Sequence, residues 1–242
     1  MTLLLVGSLG TSSAMWDPLR ALLGDLSLLA LDHRGHGGLA SAAPPGPYSL
    51  ADLGGDVLAS LDARGLERVN YCGLSLGGMV GMWLAVHHPE RIGRLVLCNT
   101  SAHLNPEAYA ARAREVRAAG TVALVADGVL ARWLTPLYTR GHPAVVAGLR
   151  AQLVETAPEG YAGCCEAIAG MDLRPELGRI AAPTLCVAGR EDPATPPELL
   201  RLIADAVPDG RLEVLSPAAH LSPVEQAPAV AALILDHLRS DP

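Results

Sequence analysis

The chain has 242 residues, half of them apolar, with a formal net charge of −7 and no lysine or phenylalanine. That length suits one α/β unit carrying an insertion, and the apolar content supports a large core rather than a disordered chain. The acidic balance, with no basic stripe, makes nucleic acid and anionic membrane surfaces poor partners, and any fixed cation in a site must be an arginine or a metal.

Met1 leads straight into Leu3-Leu4-Leu5-Val6, a run without a basic flank and too short for a signal peptide or a membrane span. Further short apolar runs follow, and segments 2–6, 27–31, 69–72, 95–98, 184–187 and 211–215 are predicted strands. Their near-continuous apolar character is what a parallel sheet covered on both faces requires. Helical patterns at 15–23, 50–64, 77–88, 197–207 and 228–239 alternate with them. This order predicts an α/β fold: a mostly parallel, doubly wound sheet of about six strands. The alternation breaks between 104 and 177, where the patterns at 107–119, 121–132, 144–156 and 160–171 are all helical. Residues 104–177 are therefore read as a helical cap over the C-terminal edge of the sheet, with 1–103 and 178–242 as the core. The low-complexity patch 40–47 reads as a surface loop. Cys72, Cys98, Cys164, Cys165 and Cys186 form an odd set without CxxC spacing. Neither a disulfide framework nor a zinc site is expected, and a reducing cytoplasm is the natural setting.

The segment Tyr71-Cys72-Gly73-Leu74-Ser75-Leu76-Gly77-Gly78 carries the first chemistry. A predicted strand ends, a serine flanked by glycines follows, and a helix begins. A tight strand-to-helix turn tolerates little side chain on either flank and lifts the serine hydroxyl above the sheet, so Ser75 is the candidate nucleophile. By residue frequencies such a pentapeptide would arise by chance in about one chain of eight. The partners therefore carry the weight.

A serine needs a base, and the base needs an orienting acid. Strand 184–187 runs into Glu191-Asp192-Pro193, and strand 211–215 into Ala218-Ala219-His220. Both loops lie where an open α/β sheet collects its catalytic groups. His220 is the candidate base, and Asp192 is the candidate acid with Glu191 as its rival. Among the other histidines, His87 and His88 end a helix, and His33 and His36 lie in a strand-end loop that shapes the pocket. His103, His142 and His237 have no partner at a suitable spacing. An oxyanion hole needs two backbone N–H donors. Leu76, next after the nucleophile, supplies one, and Leu9, in the loop after the first strand, supplies the other. A phosphate-loop reading of the glycines fails, because no GK[ST] follows and no GxGxxG is formed.

Beyond these motifs, the chain resembles the 3-oxoadipate enol-lactonases of the α/β-hydrolase superfamily. The resemblance runs through Gly7-Ser8-Leu9-Gly10-Thr11, Arg34-Gly35-His36-Gly37, the serine turn, and Asn99-Thr100-Ser101-Ala102-His103. It continues through Arg132-Trp133-Leu134-Thr135-Pro136, Pro158-Glu159-Gly160-Tyr161, Asp192-Pro193-Ala194-Thr195 and His220-Leu221-Ser222-Pro223-Val224-Glu225-Gln226. The resemblance implies a Ser75-His220-Asp192 triad hydrolysing 3-oxoadipate enol-lactone through an acyl-enzyme, in the β-ketoadipate route of aromatic degradation and without a cofactor. That substrate carries a carboxylate. With no lysine present, Arg132 is the candidate cation and its neighbour Trp133 a candidate pocket wall.

Family members usually begin with two further strands, and here the first strand starts at once. Strand 27–31 is then expected at an open edge of the sheet, where a partner copy is one way to cover it. Two alternatives stand beside the lactonase: another small-molecule carboxylesterase or lactonase of the same fold, and a non-catalytic ligand receptor on the same scaffold.

Overall fold

Six apolar runs become six strands in a computed structural model that describes residues 1–41 and 43–239. They are β1 (Leu3–Val6), β2 (Leu28–Leu31), β3 (Val69–Leu74), β4 (Ile92–Cys98), β5 (Thr184–Gly189) and β6 (Gly210–Leu215). All pairings are parallel, in the order β2-β1-β3-β4-β5-β6. Every residue of β1 and β5 is buried, which is why these strands lack the alternation of a half-exposed sheet. The two edge strands differ, since no residue of β2 or β6 is fully buried.

Between the strands lie α1 (Asp17–Arg20), α2 (Leu50–Asp62), α3 (Leu76–His87) and α9 (Pro197–Ala206), and after β6 come α10 (Ser222–Glu225) and α11 (Ala227–Arg239). Helix α2 packs against α3, while α1 packs against α10 and α11, so two separate helix groups cover the sheet. The segment expected as one helix at 15–23 is instead a 3-10 turn, Ser13–Trp16, followed by the four-residue α1. Pro18 is the reason: it has no N–H to continue the preceding turn but suits the first turn of a new helix. Helix α2 starts as its sequence directs, with Ser49 and Asp52 capping each other's backbone N–H.

From β4 to β5 the chain is helical: α4 (Pro106–Ala119), α5 (Ala126–Trp133), α6 (Pro136–Gly141), α7 (Pro143–Glu155) and α8 (Pro158–Ala169). The short α6 escapes a periodicity search, yet Thr135 accepts the Tyr138 N–H at its start and Pro136 occupies its first turn. Helix α4 packs on α8. Hydrogen bonds that dock this insertion on the core include Ala157 N–H to Gly35 O (2.8 Å), Leu173 N–H to Ala102 O (2.9 Å), Leu221 N–H to Trp133 O (2.8 Å) and Ser12 N–H to Gln152 Oε1 (3.0 Å). Gly35 holds φ at +78°, and a methyl group there would lie 2.5 Å from the Gly160 Cα, so glycine is needed on both sides of that contact. Of the patch 40–47, residue 42 lies outside the described residues. Among the described residues no helix is long and apolar enough to cross a membrane.

Candidate active site

The strand order places a topological switch point between β1 and β3, since the chain leaves β1 to one side for β2 and returns to the other for β3. Crevices form at such points beyond the carboxyl ends of the strands. Ser75 follows β3 there, with φ at 53° and ψ at −113°, a conformation an L-residue adopts only under constraint. Its flanking glycines explain how the turn closes. A methyl group on Gly73 would come 2.3 Å from the Gly77 carbonyl oxygen, and one on Gly77 would come 2.1 Å from that of Val6. Thr100 Oγ1 donates to the Ser75 carbonyl at 2.7 Å, and the buried Tyr71 hydroxyl donates to the Gly77 carbonyl at 2.7 Å. The serine is thus held from the β4 side and from beneath.

Asp192 and His220, 28 positions apart, meet at 2.8 Å between Oδ2 and Nδ1, both buried. The same oxygen accepts from Thr195 Oγ1 at 2.7 Å and from Asn99 Nδ2 at 3.0 Å. The other carboxylate oxygen accepts the N–H groups of Ala194 (2.8 Å) and Thr195 (3.1 Å). Burial by itself would raise the Asp192 pKa. The attraction of His220, with the hydrogen bonds from His220, Thr195 and Asn99, outweighs it and leaves the carboxyl below its ordinary value. Glu191, the rival acid, points elsewhere: it is exposed and accepts from Ser216 Oγ (2.7 Å) and Ala218 N–H (2.8 Å). It braces the histidine loop from outside. Among the described residues no hydrogen bond joins Ser75 Oγ to His220, although both line one cavity. Such bonds are often long before substrate arrives.

That cavity, small at about 30 Å³, is also lined by Ser8, Leu9, Tyr109, Arg112, Arg132, Trp133 and Tyr161. Among the described residues the N–H groups of Leu9 and Leu76 donate to no backbone carbonyl. Two donors are therefore free beside the serine. Trp133 is buried and forms part of the wall, and its carbonyl accepts the Leu221 N–H next to His220. The Glu225 carboxylate strengthens this tie, taking Thr135 N–H (3.1 Å) and Oγ1 (2.6 Å) on one oxygen and Ala219 N–H (2.7 Å) on the other. Arg132 is half-buried, and burial first, then the nearby charge of Arg112, holds its pKa below the ordinary value. The Arg112 guanidinium lies 5.1 Å from the centre of the Tyr109 ring. Neither arginine pairs with a carboxylate among the described residues.

The seven residues singled out from the sequence divide cleanly. Ser75, His220, Leu9, Arg132 and Trp133 line the cavity, Asp192 stands behind His220, and Leu76 follows Ser75 at the start of α3. Asn99, Thr195, Glu225 and Arg112 were not recognised. Asn99 carried a usable signal, a polar residue at a strand end, now seen with φ at +43°. Thr195 stands three residues after Asp192, where a side-chain cap is common. Arg112 offered no signal, because its helix gives the sequence no reason to prefer one charged face.

A parallel sheet with a constrained serine at its switch point, and an acid–histidine pair on later strand-end loops, defines a class of hydrolases. The family model for the alpha/beta hydrolase fold matches residues 2–131, and the chain belongs to that family and is a hydrolase. More particularly, it is similar to 3-oxoadipate enol-lactonase 2 of Acinetobacter baylyi, 40% identical over 94% of this chain and 84% of that protein. It also resembles the crystal structure of the enol-lactonase from Burkholderia xenovorans LB400, at 41% identity and a TM-score of 0.95, covering 99% of this chain and 91% of that one. RutD of Variovorax paradoxus, which carries a provisional carbamate hydrolase designation, is 33% identical over 97% of this chain and 90% of its own.

Proposed function

We propose that the enzyme hydrolyses 3-oxoadipate enol-lactone to 3-oxoadipate, as the names of its enol-lactonase relatives state for them. The observation that carries the choice of substrate is the pair Arg112 and Arg132, two cations without carboxylate partners on the wall of the cavity that holds Ser75 and His220. Two half-buried cations facing one cavity repel each other unless an anion joins them, and the substrate's free carboxylate supplies it.

In this reading His220 takes the Ser75 proton through Nε2 while Asp192 holds Nδ1–H. The serine oxygen attacks the lactone carbonyl, and the N–H groups of Leu9 and Leu76 receive the oxyanion. The ring C–O bond then breaks, and the leaving group is an enolate, far better stabilised than an ordinary alkoxide, which ketonises on taking the proton held by His220 and so returns the histidine to its basic form. Water, deprotonated by His220, cleaves the acyl-enzyme and restores Ser75. The reaction places the enzyme in the β-ketoadipate route. Its five free, buried cysteines fit a reducing compartment, and we assign it to the cytoplasm.

The test compares turnover of 3-oxoadipate enol-lactone with that of p-nitrophenyl esters. A kcat/KM at least tenfold higher for the lactone is expected. A preference for the esters defeats the substrate, and failure of a fluorophosphonate to label Ser75 in the folded protein defeats catalysis itself.

A further inference from the structure

Gly7 sits two positions before Leu9, and Gly77 directly follows Leu76. One oxygen joins these two segments: the Gly7 carbonyl accepts the Gly77 N–H at 3.0 Å. The same carbonyl lies 3.1 Å from Nε2 of His33. A carbonyl only accepts, so the His33 proton sits on Nε2 and is donated to Gly7. His33 is buried, and burial lowers its pKa. His36 stands edge-on against it, with ring centres 5.8 Å apart, and directs its own Nδ1–H to the Arg34 carbonyl at 3.1 Å. Beside it, Asp32 accepts the N–H groups of Ser13 and Gly38. The strand-end loop after β2 is therefore built against the loop after β1.

We propose that His33 is a positioning residue for the oxyanion hole, holding loop 7–11 in register with the start of α3 through the Gly7 carbonyl. The inference rests on the oxyanion hole assigned above to Leu9 and Leu76. The hole needs two N–H groups converging on one point, one from each segment, and their separation is set where the segments touch. That contact is the Gly7 carbonyl, so close that only glycine fits at 77: a methyl group there would lie 2.8 Å from this same oxygen. Among the described residues, the rest of loop 7–11 is tied internally by Thr11, which donates through N–H (3.1 Å) and Oγ1 (2.9 Å) to the Ser8 carbonyl, and Gly10 holds φ at +83°. Among the described residues, removing the His33 donor leaves the Gly7 carbonyl with the Gly77 N–H as its one hydrogen-bond donor. Oxyanion donors act in full only once the carbonyl oxygen becomes charged, so a displaced Leu9 lowers kcat and leaves ground-state binding in place.

The experiment measures kcat and KM for p-nitrophenyl acetate, the Ki of phenylboronic acid, and the urea midpoint, in the wild type, His33→Leu and His33→Gln. Phenylboronic acid adds to the serine and places a tetrahedral oxygen where the oxyanion forms. His33→Leu is expected to lower kcat about 10- to 100-fold, less than complete loss of one donor, with KM changed less than about threefold and the boronate Ki raised in parallel with the loss in kcat. His33→Gln keeps an N–H donor and is expected to recover most of both. Should His33→Leu fail to fold, His33→Gln and His33→Asn are compared at equal urea midpoint, and the glutamine is expected to be the faster. Unchanged kcat in the leucine variant, a lowered kcat with unchanged boronate Ki, or a glutamine no better than leucine or asparagine overturns the proposal. A wild type that phenylboronic acid does not inhibit overturns the oxyanion hole itself; inhibition of the wild type with unaffected variants overturns only the role of His33.

Discussion

Asn99 donates its side-chain amide to Asp192 Oδ2 at 3.0 Å across 93 positions of sequence, and with the same nitrogen it reaches the Ala219 carbonyl at 3.1 Å. One residue thus touches both the acid loop and the histidine loop. Hydrogen bonds to a charged acceptor contribute about 1.5–3 kcal/mol. Asn99→Ala is therefore expected to lower kcat/KM roughly 10- to 100-fold, as Asp192 loses a donor and the His220 loop loses a tie. An unchanged rate of fluorophosphonate labelling at Ser75 would contradict this role.

The two neighbouring acids are expected to separate sharply. Asp192→Asn keeps the shape but supplies an amide to His220, a change that costs about 10⁴ in kcat where an aspartate orients a catalytic histidine. Glu191→Gln removes a brace outside the site and is expected to change kcat less than about tenfold, because the Glu191 carboxylate accepts from Ser216 and Ala218 and not from the His220 side chain. Steady-state kinetics of both variants decide it, and equal losses would reverse the choice between the two acids.

Neutralising the cavity arginines tests the anionic substrate. Arg112→Met and Arg132→Met are each expected to raise KM for the enol-lactone about tenfold or more, while KM for uncharged p-nitrophenyl acetate moves little. Parallel changes for both substrates would show a structural effect in place of carboxylate recognition.

Glu225 joins the insertion to the histidine loop with three hydrogen bonds. Glu225→Ala leaves the N–H groups of Thr135 and Ala219 without their acceptor, at about 1–3 kcal/mol for a buried donor left unsatisfied. The expected outcome is a lower urea midpoint together with a shifted Trp133 fluorescence, since the Trp133 carbonyl belongs to the same tie. A midpoint equal to that of the wild type would remove Glu225 from this role.

His36 gives a pH dependence with a defined sign. It is fully buried, its Nε2 has no partner among the described residues, and burial with the nearby His33 pushes its pKa down from 6.5 to about 3. The unfolded chain therefore binds a proton below about pH 6.5 that the folded protein refuses, so the stability present above that pH is lost as pH falls toward 3. One such group contributes a slope of about 1.4 kcal/mol per pH unit. Urea unfolding between pH 7.5 and 4.5 is expected to show a steeper loss in the wild type than in His36→Leu. Parallel slopes would mean that His36 protonates in the folded state.

Much of this molecule follows from local patterns. Buried parallel strands are continuous apolar runs, so 2–6 and 184–187 announced β1 and β5 within a residue or two. The start of β4 was missed because Ile92, Gly93 and Arg94 mix buried and half-buried positions, and the short α1 and α6 because proline and threonine act at a single turn. Ser75, Asp192 and His220 stand out in the sequence because each follows the carboxyl end of a strand, and those ends in a parallel sheet share one edge by construction.

What the sequence by itself determined is the alternation of elements, the glycines that permit the constrained serine turn, and the strand-end positions of the acid and the histidine. These obey periods of two or 3.6 residues and the steric limits of a tight turn, all local quantities. Only the tertiary structure decided that Asn99 rather than a neighbour reaches Asp192, that Arg112 joins Arg132 on the cavity wall, and that His33 donates to Gly7. Those contacts depend on strand register and on how the insertion docks, through Gly35 against Gly160 and Trp133 against Leu221. No short-range pattern encodes a distance between residues that meet only when both ends have folded.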